Sequence, residues 1–258
     1  MNTFLSTLKS RNAILYGFGL LCMIGGVLCI GLILVTTGQV LGINAFIKPA
    51  KFFVSTGIVC WTMAWILPLL NRPRTATIYA WMVVVVMTFE LGAVVVQAAR
   101  GKLSHFNVSS ITDAVLFAAM GIVITLFTLW TAYIGILFFT QKVITIPPSY
   151  LWGIRLGLLL FVIFSFEGFL MGARLSHTVG AADGEAGLPI TNWSTRYGDL
   201  RVAHFFGMHA LQLLPLFGYY VARRPRQVIL LATFYFLAVT LLLIQALDGK
   251  PLLAGLGN

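Results

Sequence analysis

Seven long apolar runs constrain this chain more than any other feature: roughly residues 13 to 36, 51 to 70, 77 to 99, 112 to 139, 149 to 173, 202 to 222 and 227 to 247. Each is long enough to cross a bilayer, which takes about 20 apolar residues. In hydrocarbon no water satisfies backbone N–H and C=O groups, so such runs form helices. The fold expected is therefore all-α: a polytopic transmembrane bundle of seven helices, treated as one domain over 1–258, with residues 175–201 as an outer loop or cap. Pro49, Pro73, the Pro147/Pro148 pair and Pro225 sit at or near the starts of runs, where a missing N–H costs little. Composition agrees, with 59% hydrophobic and 9% charged residues, whereas soluble domains carry roughly a quarter charged residues.

The net charge of +10 does not point to nucleic acid, because the 17 basic residues are scattered through short loops and form no basic run. The partner implied is the lipid bilayer. Lys9 and Arg11 precede an apolar run longer than a signal-peptide core, so the first run reads as a retained span. With the N-terminus inside, the inner loops hold Lys9, Arg11, Arg72, Arg74, Lys142, Arg155, Arg223, Arg224 and Arg226 and no acidic residue. This unmixed basic character places the N-terminus in the cytoplasm and the C-terminus outside. Cys22, Cys29 and Cys60 all lie in apolar runs, which implies packing residues and no disulfide framework. The glycines of the first run, Gly17, Gly19, Gly25, Gly26 and Gly31, suit close helix packing.

Ionisable residues inside spans carry the functional signal, since charge at mid-membrane is expensive. Glu90 lies in the third run and Glu167 in the fifth. His209 lies in the sixth, where GDLRVAHFFGMHALQ also holds Asp199, Arg201 and His204. Counted from the outer helix ends at 1.5 Å per residue, Glu90, Glu167 and His209 share one depth. His204, His105, His177, Arg100, Arg174 and Arg201 lie nearer the surface. The expectation is a polar funnel in which Glu90, Glu167 and His209 form one coupled catalytic floor. His204 and His209 are five apart, about 140° around a helix, so they do not share the i, i+4 spacing of zinc helices.

Two carboxylates and neutral imidazoles suit zinc, iron or manganese. The candidate metal ligands are Glu90, Glu167, His204, His209 and His105. A haem b held by two histidines, with Arg100, Arg174 and Arg201 on its propionates, is the second cofactor reading. A proton relay in a transporter is the third. No internal repeat or pair of broken helices marks a transporter. The favoured function is a metal-dependent membrane enzyme acting on a lipid-soluble or amphipathic substrate, with a divalent metal preferred over haem. The glycines, Trp193 and Tyr197 of the long loop suit a folded cap over the site.

The segments GINAFIKPAKFFVS, QAARGKLSHFN, LWGIRLGLLLFVIFSFEG and NWSTRYGDLRVAHFFGMHALQLLPL resemble, in the same order, phrases of a group of predicted bacterial membrane proteins. That resemblance covers most of the chain and implies a multi-pass protein of the bacterial inner membrane, with no chemistry attached. Seven spans with histidines and acids at one face also make a loose analogy to the zinc-dependent membrane hydrolases of the alkaline ceramidase and progestin-receptor-like superfamily. Fold analogy alone does not carry function.

Overall fold

The structure is a computed structural model and describes residues 3–141, 145–185 and 187–253. Lys142, counted above with the inner loops, lies outside the described residues. The described residues form eight α-helices: α1 Phe4–Arg11, α2 Ala13–Val35, α3 Ile47–Ile66, α4 Pro73–Ala99, α5 Ile111–Thr140, α6 Pro148–Arg174, α7 Leu200–Tyr220 and α8 Pro225–Leu247. Two short antiparallel ribbons accompany them, β1 Gln39–Val40 with β2 Ile43–Asn44, and β3 Thr178–Val179 with β4 Gly198–Asp199. Among the described residues six helices, α2 to α6 and α8, are long and apolar enough to cross a membrane. The chain is thus a multi-pass membrane protein whose surroundings are lipid. The run expected at 202 to 222 is the helix α7, 21 residues long. It falls outside those six because Arg201, His204, His209 and Gln212 dilute its apolar character.

The chain divides into two compact units, Met1–Trp130 and Thr131–Asn258. In unit 1, α2 runs antiparallel to α3. A Cβ on Gly57 would stand 3.2 Å from the carbonyl of Gly19, so the bare Gly57 lets the backbones close, while Gly19 makes room for the Trp61 ring. The other glycines of α2 differ in use: Gly26 is buried against α3, while a Cβ on Gly17 or Gly31 would find nothing within 4 Å.

The amphipathic α1, too short to register as a span, is an addition to the seven expected runs. Thr3 caps it, Leu8 is buried, and Phe4 stacks on Trp65 with centroids 5.7 Å apart. Arg11 donates to the carbonyl of Trp65 at 2.7 Å, placing a cation at the carbonyl end of α3 where the helix dipole favours it.

In unit 2, α6 and α7 are antiparallel and in contact over most of their length. Ser149 meets Gly218, Gly153 meets Leu214, Gly157 meets Ala210, and Phe164 meets Gly207. A Cβ on Gly153 would overlap the carbonyl oxygen of Leu214, and one on Gly218 would stand 2.5 Å from that of Ser149. These contacts recur about every four residues, so one register is set along both helices. Leu160, Phe164, Ala203, Ala210, Leu214, Ala232 and Val239 from α6, α7 and α8 form the core of this unit.

Candidate functional site

The α6–α7 register brings Glu167 opposite His204. Nδ1 of His204 stands 3.2 Å from Oε2 of Glu167. Neither atom is aligned for a hydrogen bond, and Oε1 of Glu167 is likewise buried without a partner. The neighbouring Gly168 makes room for the imidazole, since a Cβ there would stand 3.0 Å from Cε1 of His204. The glutamate is 8% exposed. A buried carboxylate facing an imidazole, with lone pairs unspent, is arranged to take or give a proton.

His209 is on the same helix, yet its ring is engaged elsewhere. Nδ1 lies 2.7 Å from the carbonyl of Phe205, and the ring lies over Phe205 with centroids 4.1 Å apart. In the neutral ring Nδ1 donates to that carbonyl and Nε2 is left as the acceptor. Phe205 in turn meets Trp193, whose centroid is 5.4 Å away. The long loop therefore reaches His209 through an aromatic stack.

That loop is ordered by two carboxylates. Asp199 caps α7, accepting from the backbone of Arg201 and of Ser194, and its carboxylate takes both Nε and Nη2 of Arg201 at 2.9 and 2.6 Å. Such a two-pronged guanidinium pair is strong and directional. Asp183 gathers Ser176, Thr178 and the backbone of His177, with Nδ1 of His177 at 3.3 Å. Burial works against ionisation of Asp183, but hydrogen bonds from Thr178 and Ser176 and the charge of His177 hold its carboxyl below the usual carboxylate range. The β3–β4 pair and Trp193, 9% exposed, complete the packing of this segment.

In unit 1, Glu90 is 5% exposed and its Oε1 has no hydrogen-bond partner. The charge of Lys48 acts on it. Gln97, seven residues on from Glu90 and so on nearly the same helical face, is committed two turns further along, where it donates to Asp113 at 2.9 Å. Asp113 also takes Lys102 at 2.7 Å and Ser110 at 2.7 Å, and it pairs with Arg100 at 3.4 Å. His105 follows in the next loop, 3.3 Å from Lys48.

Of the residues singled out from sequence, Glu167 and His204 are brought together in unit 2, while His209 is held by its own helix. Glu90 and His105 belong to unit 1, and His105 meets Lys48. Arg100 and Arg201 each serve an aspartate, and Arg174 is exposed at the end of α6. Sequence reasoning passes over Asp199 and Asp113 as site formers. The signal for the aspartates is present: an acid at a helix start is the ordinary capping pattern. Within neither unit, among the described residues, do three or more His, Cys, Asp or Glu side chains converge as a metal shell. Compared with known protein families, curated proteins and solved structures, the chain finds no match.

Proposed function

We propose that this membrane protein handles protons through Glu167 and His204, acting as an acid–base centre on a lipid-soluble or amphipathic molecule. The observation that carries the reading is the 3.2 Å approach of the two side chains with three buried polar atoms left unpaired. Placing a carboxylate in the membrane costs at least about 2.5 kcal/mol, and a mere packing contact would saturate those atoms. A metal-dependent form of the same reading needs a further donor beyond Glu167 and His204. Proton exchange needs none, and the geometry favours it. His209 and its aromatic stack then form the wall nearest the loop.

The reading includes seven spans with the N-terminus cytoplasmic and the C-terminus outside. The antiparallel run of α7 along α6 supports the seventh, since a bilayer crossed by the one is crossed by its close-packed neighbour. A C-terminal reporter that works only in the cytoplasm is expected to be silent; activity would overturn this topology.

Infrared difference spectra of the reconstituted protein, recorded across a pH titration, test the chemistry. A protonated-carboxyl band is expected that vanishes in Glu167→Gln and titrates at a different pH in His204→Gln. A spectrum indifferent to both substitutions would remove the acid–base reading.

A further inference from the structure

The end of unit 1 that carries the start of the chain is basic, and no acid stands beside it. There α1 is fastened to the end of α3: Arg11 donates to the carbonyl of Trp65 at 2.7 Å, its guanidinium lies 4.3 Å from the centre of that indole, and Phe4 stacks on the same ring. An extended Asn12 separates α1 from α2. Past Trp65, α3 ends at Ile66, and a single turn of 3₁₀ helix, Leu67–Leu70, leads to Asn71 in the left-handed region and on to Arg72, Pro73 and Arg74 at the start of α4. Lys9, Arg72 and Arg74 are exposed, and Arg11 is half-buried. The first acidic residue of the chain is Glu90, about 25 Å from Pro73 along α4 at 1.5 Å per residue. Asp113, the other acid of unit 1, lies past the far end of α4, where Lys102 takes it.

The helix itself has the pattern of one that lies in a membrane interface. At 100° per residue Phe4, Leu8 and Leu5 form one apolar arc, Arg11 and Lys9 flank it on either side, and Ser6, Thr7 and Ser10 take the opposite arc. Leu8 is fully buried, but Phe4 is 59% and Leu5 41% exposed. The unit therefore uses only part of the apolar arc, and the rest is left for acyl chains, with the cations at the level of the phosphates. Trp65, amphipathic in the same sense, suits that level as well. Charge then selects the headgroup. A phosphocholine brings its own cation with its phosphate, whereas a phosphatidylglycerol brings the phosphate alone. Each Lys or Arg close to an anionic surface strengthens attraction about fivefold. We propose that α1 and the Arg72–Arg74 turn form a binding surface for anionic phospholipids, with phosphates against Lys9, Arg72 and Arg74 and acyl chains against Phe4 and Leu5. The surface owes nothing to the Glu167–His204 pair.

The test uses the full chain in phosphatidylcholine nanodiscs, with a bimane fluorophore on Leu5→Cys; Cys22, Cys29 and Cys60 are buried and leave the label to that position. Quenching is read against phosphatidylglycerol or phosphatidylcholine that carries a nitroxide high on one acyl chain. Phosphatidylglycerol is expected to reach half-quenching at a mole fraction at least about fivefold below that of phosphatidylcholine, and about 1 M salt should narrow the gap. Lys9→Gln together with Arg72→Gln and Arg74→Gln, all at exposed positions, should bring the two curves together. Taking as much charge from exposed positions of unit 2, by Arg174→Gln with Arg196→Gln and Lys250→Gln, should leave the gap unchanged. Equal quenching by the two lipids in the otherwise unaltered chain would overturn the surface. So would a gap that survives the unit 1 substitutions, or one that the unit 2 substitutions close as well.

Discussion

The starts of the helices and their interiors treat acidic side chains in opposite ways. Asp113 near the start of α5 and Asp199 at the cap of α7 are nearly inaccessible, and donors surround each of them. Glu90 within α4 and Glu167 within α6 are buried as well, yet each has at least one carboxyl oxygen with no hydrogen bond. The helix starts have loop backbone, serines and arginines within reach, and these can saturate a carboxylate. The interiors depend on what a facing helix supplies, as His204 of α7 does for Glu167. Saturated acids build the loops; unsaturated ones are left with chemistry to do.

The largest effect expected of this contrast is at Asp199. Replacement by Ala removes the α7 cap and strands Arg201 and the Ser194 amide, and it should lower stability by about 3 kcal/mol. Unfolding in mixed micelles measures it. A loss below about 1 kcal/mol, within the range of an ordinary surface pair, would break the comparison. The glutamates should behave differently: Glu167→Gln and Glu90→Gln should change stability by less than about 1 kcal/mol, or raise it, because a neutral amide costs less to bury than an under-partnered charge. Cap-like losses at either glutamate would show it to be a structural acid after all.

The close α6–α7 backbone contact sharpens the point. Gly168→Ala should leave the bundle folded, since its Cβ would meet the imidazole edge of His204 at 3.0 Å and the ring can shift by a few tenths of an ångström. The infrared signature of Glu167 should move with it. An unmoved band would uncouple the register from the pair.

The smallest effect expected is acid sensitivity of the long loop. The folded-state pKa of Asp183 is depressed, so its contribution is fully present above its unfolded value, about 3.9, and is lost as pH falls through the lower folded value. Amide exchange in the segment 176–183 should rise as pH drops below about 4. In Asp183→Asn that extra rise should be absent. Equal acid response in both proteins would mean that Asp183 does not order the loop.

Much of this is legible in the sequence. A bilayer admits only long, internally hydrogen-bonded apolar segments, so the expected runs and the helices differ by a few residues at their ends: 13 to 36 is Ala13–Val35, and 227 to 247 is Pro225–Leu247. The cost of charge in lipid likewise marks Glu90, Glu167 and the α7 histidines before any geometry is known. The short α1 escapes such a reading because eight residues carry too little periodicity to stand apart from a polar leader.

Partnership is not legible, and tertiary structure decides it. From helical spacing alone Glu167 shares a face with Arg174, and from depth alone it shares a level with His209. The α6–α7 contact gives it His204 instead, because Gly153, Gly157 and Gly218 let the backbones close at one register. Arg100 and Arg201, free cations in a string of letters, are spent on Asp113 and Asp199 once loops fold back on helix starts. Spacing along one helix fixes which side chains share a face, and hydropathy fixes their depth. Which helix stands opposite, and at what offset, depends on close packing of small residues from segments distant in sequence, and only the folded chain supplies that.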